Sequence, residues 1–232
     1  MTPCLVRTLC AAALLSLLPS APFQDPGIFP VTSKPFGADY AAWSARWWQW
    51  NMGHPLAGHP SIDDPSFDVT SGQSGRVWFL ATPVEFGTAT PTPLTRNITV
   101  PAGTALYVGT LNGELSSLEG AATEAEQRDI ANFQADRIVG LSCTLDGATV
   151  QLANYRFESD QFTFTAPDPW IFSPAPGGTG TAVADGYYLF LRPLAAGQHV
   201  LHYTGGFHFE AGIFGPDPFD ISADLTYVIT VQ

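Results

Sequence analysis

"YYLFLRPLAAGQHVLHYTGGFHFEAG", Tyr187–Gly212, sets the reading of this chain. In it Leu201, Tyr203, Phe207 and Phe209 alternate with His202, Thr204 and His208. A period of two sends successive side chains to opposite faces of a strand. Pro193, Gly197 and the Gly205-Gly206 pair punctuate the run, so it reads as three strands, "YYLFLRPL", "QHVLHYTG" and "FHFEAG". "ADLTYVITV", Ala223–Val231, repeats the pattern. Upstream, "SCTLDGATVQL" places Asp146-Gly147 between two alternating runs, a strong hairpin signal. "YRFES", "QFTFTA", "RVWFLA", "TRNITV" and "ALYVGT" complete nine or ten strands, with "DPWIFSPAPGGTGTAVADG" read as a long loop. No strand–helix–strand alternation occurs. The expected fold is therefore mainly β, an antiparallel β-sandwich of jelly-roll type.

Two segments break the pattern. "YAAWSARWWQWNM" follows Asp39, a helix-capping residue, and reads as a helix from Tyr40 to Met52. Tyr40, Trp43, Trp47 and Trp50 share one stripe at helical spacing, the signature of a packed face. Trp48 lies about 100° of rotation away from Trp47. It has no packing role on that stripe and is a candidate ligand-stacking residue, with Trp78 and Trp170. A membrane-surface helix would carry Lys or Arg along its polar face; only Arg46 is present. The second helix is inserted over about 121–138, in "SLEGAATEAEQRDIANFQADRIVG". Residues 22–37 form a Pro- and Gly-rich lead-in, and residues 38–232 a single domain.

At the N-terminus Arg7 precedes the apolar run "LCAAALLSLL", the pattern of a signal peptide over residues 1–21. The run is too short for a permanent anchor, and no later segment spans a membrane. A secreted or periplasmic protein follows. Without residues 1–21 the chain keeps 8 basic residues against 21 acidic ones, a net of about −13, and one cysteine, Cys143. That surface repels phosphate backbones and anionic lipid, which excludes nucleic acid as a partner. Cys143 lies in "VGLSCTL" with Val139, Leu141 and Leu145 at alternate positions, so it reads as a buried small hydrophobe.

The chemistry-bearing residues form no strong motif. His202, His208 and Glu210 are the candidate metal ligands, from two adjacent strands of a hairpin. The H-x-H plus distant Glu of cupins is absent, and surface histidines are the commoner explanation. His54 and His59 lie in a loop. Asp63, Asp64, Asp160, Asp185 and Glu210 lack the setting of a glycosidase carboxylate pair, and no nucleophile elbow, phosphate loop or H-E-x-x-H occurs. No cofactor is implied. The sequon Asn97–Thr99 falls inside an expected strand.

In order along the chain, "YAAWSARWWQW", "GQSGRVWFLA", "RNITVPAGTALY", "YRFESDQFTF", "ADGYYLFLRPLAAGQHVLHYTGGF" and "LTYVITV" resemble a group of secreted bacterial β-sandwich proteins of unknown function. The resemblance covers most of the chain after the leader. Members of that group often carry cysteines just before the G-Q motif and before T-V-P-A-G. Val69 and Ile98 stand at those places here, so the resemblance implies packing in place of a disulfide. It implies no catalytic residue. The leading expectation is a non-enzymatic binding or interaction module with a glycan or protein partner. A metal-dependent enzyme on the His/Glu hairpin and a structural envelope component are the alternatives.

Overall fold

A computed structural model describes residues 27–64 and 66–232. The expected leader and the first residues of the lead-in, 22–26, lie outside them. Among the described residues strand accounts for 41% and helix, 3-10 turns included, for 17%, so the protein is mainly β, and those residues form two sheets and two α-helices.

Helix α1 (Tyr40–Met52) starts where the Asp39 carboxylate accepts the Ala42 amide at 3.1 Å. It ends at Gly53, where two loop histidines take over its last carbonyls. His54 Nδ1 lies 2.7 Å from Trp50 O, and His59 Nε2 lies 2.9 Å from Asn51 O. Both imidazoles are buried. Strands β1 (Val77–Leu80), β2 (Glu85–Phe86), β3 (Leu94–Val100) and β4 (Ala105–Ser116) follow. Helix α2 (Glu124–Ala135) opens on a capping box, Thr123 with Glu126, which starts it three residues later than the alanine run suggests. Then come β5 (Ile138–Leu145), β6 (Ala148–Thr149), β7 (Arg156–Glu158), β8 (Phe162–Ala166), β9 (Gly178–Leu191), β10 (Gly197–Phe209) and β11 (Phe219–Val231). The β5–β6 turn is the expected hairpin, with Asp146 at φ 51° and Gly147 at φ 77°.

One sheet has the order β1-β4-β9-β7, with β8 also on β9; the other has β2-β11-β10-β5-β6, with β3 also on β11. Two pairs are parallel, β1 with β4 and β3 with β11, which corrects the wholly antiparallel expectation. Parallel neighbours need a long crossover, and here the chain between β1 and β4 supplies it by passing through the second sheet as β2 and β3. No helix of the described residues is long and apolar enough to cross a membrane.

Two glycine-rich segments read as turn or loop are strand. β10 runs unbroken through Gly205-Gly206 and pairs with β11 from end to end. A Cβ on Gly205 would sit 2.4 Å from Leu111 Cδ1, so glycine there permits close approach of the two sheets. β9 likewise begins at Gly178, inside the expected loop. At Gly186, φ is 146° and a Cβ would meet the Asn112 backbone at 2.4 Å.

Leu106, Val108, Leu189 and Leu191 of the first sheet share a core with Leu201, Tyr203, Leu225, Tyr227 and Ile229 of the second. Thr82 Oγ1 joins them, 2.7 Å from both Gly109 O and Tyr203 Oη. Side chains alternate along β9, so Tyr188 and Asp185 face opposite ways. The Tyr188 face packs against α1. On the Asp185 face, Gln127 of α2 donates to Thr181 Oγ1 at 3.0 Å.

Candidate ligand-binding groove

The two best-placed tryptophan candidates are interior. Trp48 is 5% exposed, and its indole N–H donates to Tyr188 Oη at 2.9 Å. Its ring meets Trp47 edge-on at 5.0 Å and lies against Phe172. The helical stripe pointed to one buried face, yet α1 packs against β4, β7, β8 and β9, and Phe172 closes over the side where Trp48 sits. Trp170 is fully buried and donates to Ala175 O at 2.7 Å. Trp78 is half-buried against the core. Trp50, assigned to the packed stripe, is only half-buried and donates to Ser71 O. Neither Trp48 nor Trp170 offers a face to a ligand.

The candidate metal ligands are not brought together. His202 and His208 sit on one strand, six residues and about 20 Å apart. Each has its own partner: His202 Nε2 lies 2.9 Å from Asp224, and His208 Nδ1 lies 2.7 Å from Asp220. Glu210 faces Arg137 at 3.4 Å, and that partnership, with its own backbone amide first, holds its carboxyl below the usual range. Among the described residues no three His, Cys, Asp or Glu side chains cluster as a metal site. The hairpin expected between His202 and His208 does not exist, because Gly205-Gly206 is not a turn. Cys143 is buried, as its alternation requires.

A different site is assembled from three separate segments. Phe36 comes from the lead-in, Trp43 and Arg46 from α1, and Ser74, Gly75, Arg76, Val77 and Phe79 from β1 and the loop before it. Together they line an open groove of about 380 Å³. Each wall is fixed locally. Trp43 Nε1 donates to Pro35 O at 3.0 Å and ties the lead-in to α1. This holds the 3-10 turn Pro35–Gly37, in which Phe36 takes φ 55°. A left-handed, non-glycine residue costs on the order of 1 kcal/mol, and here it turns the Phe36 ring outward, 38% exposed. On the far wall, Gln73 clamps β1 by engaging both main-chain groups of one residue, Phe79. Its Nε2 donates to Phe79 O at 2.7 Å and its Oε1 accepts the Phe79 amide at 2.8 Å. The "GQSG" phrase is therefore a strand clamp.

Charge distinguishes the groove. The Arg46 guanidinium lies over the Trp43 ring at 4.4 Å, and that of Arg76 over Phe36 at 5.1 Å. Both side chains are exposed. Among the described residues neither makes an ion pair or a side-chain hydrogen bond, whereas Arg128, Arg137 and Arg156 all face carboxylates and Arg96 donates to Pro60 O and Ile62 O. Helix α1 carries no acidic residue; Asp39 at its cap is held by the Ala42 amide and by Lys34. The arrangement offers planar cationic donors above aromatic faces, and the lining holds no acid, base or nucleophile beyond Ser74. Of its residues the sequence reading singled out Trp43, as part of the packed stripe, and Arg46, as too little charge for a membrane helix. The one signal available was the scarcity of cations in so acidic a chain, which gives each unpaired arginine weight but not its position. Compared with protein-family models, with curated proteins and with solved structures, the chain matches none.

Proposed function

We propose that this chain is a secreted or periplasmic binding module, its two sheets forming a β-sandwich, and that the groove between the lead-in, α1 and β1 holds a carboxylated sugar of a glycan. The observation that carries the reading is the pair of uncompensated guanidinium groups, Arg46 and Arg76, over Trp43 and Phe36. Guanidinium recognises carboxylate through paired N–H donors and is weakly hydrated, so it binds well beside aromatic surface. The groove volume sits at the lower end for small-molecule sites, a fit for one or two sugar rings. The remaining surface is strongly acidic and repels a dense polyanion at long range. An isolated uronate in an otherwise neutral chain suits both facts.

Isothermal titration of the protein with glucuronate- and galacturonate-containing oligosaccharides, their neutral counterparts and oligoglutamate tests this. Acidic sugars are expected to bind and neutral ones not to. Arg46→Gln and Arg76→Gln should each weaken binding about tenfold, the loss of one charge-assisted hydrogen bond. Ligand entry also displaces Arg46 from Trp43, so a fluorescence change should track the heat. Equal binding of neutral and acidic sugars, or affinity untouched by both substitutions, would sink the reading. Preference for oligoglutamate would move the partner to acidic protein.

A further inference from the structure

A second site lies at the other end of β4. The strand ends at Glu114-Leu115-Ser116, and the chain turns through Ser117–Glu119, closed by Gly120 at φ 107°. The turn folds Glu119 back over the strand end, where Ser116 Oγ donates to its Oε2 at 2.6 Å. Glu119 lies near enough to Glu114 for the two carboxyls to act on each other electrostatically. Glu114 is 4% exposed; both its oxygens are buried and accept no hydrogen bond from a described residue. No Arg, Lys or His pairs with either glutamate among the described residues. The contrast with Asp185 is direct. That carboxylate is as deeply buried, and Arg156 grips it with three contacts of 2.5–3.2 Å.

Burying an uncompensated carboxylate costs several kcal/mol, and a second carboxyl beside it adds repulsion. We propose that Glu114, Glu119 and Ser116 Oγ hold a calcium ion. The donors are all hard oxygens, two of them carboxylates able to bind through one or both atoms. Calcium accepts such an irregular oxygen set, while magnesium demands near-octahedral geometry and keeps its waters. Glu119 is only half-buried and provides the way in. The site is independent of the sugar groove.

The test starts from the whole protein dialysed against chelator, then titrated with calcium and with magnesium by calorimetry and thermal melting. One calcium per chain is expected, with Tm rising by about 5–10 °C at a hundredfold excess over Kd and a weaker response to magnesium. Glu119→Gln and Glu114→Gln should each abolish the rise, while Arg46→Gln keeps it. Glu119 lies near the surface, so Glu119→Gln decides the matter if Glu114→Gln fails to fold. No heat and no change of Tm in millimolar calcium would overturn the site. So would an equal rise in Glu119→Gln. A parent protein indifferent to calcium, with a Glu114→Gln variant more stable than it, would instead mean that the two carboxyls share a proton.

Discussion

Replacing Trp48 by Phe tests the claim that this indole is structural. The substitution removes the pyrrole edge of a side chain that is 5% exposed and wedged between Trp47 and Phe172. Losing that much buried ring costs roughly 1–2 kcal/mol. It also removes the N–H donated to Tyr188 Oη at 2.9 Å, leaving a fully buried hydroxyl oxygen without its donor, which costs about 1–3 kcal/mol. The expected total is about 2–5 kcal/mol, a fall in Tm of roughly 5–20 °C for a chain of this size. A double-mutant cycle separates the two terms. Tyr188→Phe alone strands the indole N–H, whereas the double variant removes both partners, so the hydrogen-bond penalty should largely cancel. Denaturant melts of the four proteins should give a coupling of about 1–2 kcal/mol. A coupling below about 0.5 kcal/mol, or a Trp48→Phe protein of parental stability that no longer binds its sugar, would refute the packing argument and return Trp48 to the ligand.

Two titrations shape the pH response in opposite directions. His59 accepts the Ser61 amide on Nδ1 and so donates from Nε2 to Asn51 O; burial lowers its pKa to about 4. The unfolded chain therefore protonates first. The stabilisation, roughly 3 kcal/mol, is complete above pH 6.5 and drains away as pH falls toward 4, and His59→Gln should flatten that acid limb in urea melts. His199 shows the reverse. Its bond to Asp146 at 2.7 Å raises its pKa. Burial acts against ionisation of Asp146, but the His199 and Val200 bonds outweigh it and hold the carboxyl below its ordinary value. The pair stabilises fully between the ordinary Asp and His values, and its contribution is lost as pH rises through the folded pKa of His199. Asp146→Asn keeps the left-handed turn, because Asn tolerates positive φ. NMR titration should then show the His199 pKa falling, and an unchanged value would mean the partner is not Asp146.

Most strands and both helices were legible because their signals are local: alternation at Leu201–Phe209, the Asp146-Gly147 turn, the cap at Asp39, the alanine- and glutamate-rich run of α2. What was misread depends on neighbours distant in sequence. Glycine at 205 and 186 looks like punctuation until Leu111 and Asn112 are seen to leave no room for a Cβ. Trp48 looks spare until Phe172 and Tyr188 arrive from more than a hundred residues away. Parallel pairing of β3 with β11 has no sequence mark at all. The groove is the extreme case, since Phe36, Arg46 and Arg76 acquire a common meaning only where three segments meet. His202, His208 and Glu210 failed for the opposite reason: close in sequence, they were separated by a strand that does not turn.

The two proposed sites share a physical criterion and a strand. Folded proteins satisfy their buried polar groups and pair their interior charges, so the exceptions are where function concentrates. Here Arg128 faces Glu124 and Glu158, and Arg156 faces Asp136 and Asp185; Arg46, Arg76 and Glu114 stand outside that pattern. The Ala105 amide is bonded to Arg76 O at the groove, while Ser116 closes the acidic turn, and the eleven residue steps from one to the other span roughly 35 Å along β4. Coupling over that distance requires an element with two discrete arrangements that both ligands bias. β4 is instead held over almost its whole length by β9. Saturating calcium is therefore expected to leave the affinity for a uronate oligosaccharide within about twofold, well under the 1–3 kcal/mol typical of allosteric pairs. A tenfold change on adding calcium would show that β4 moves between two registers, with the Thr110 bulge, where its pairing with β9 shifts, as the place to look.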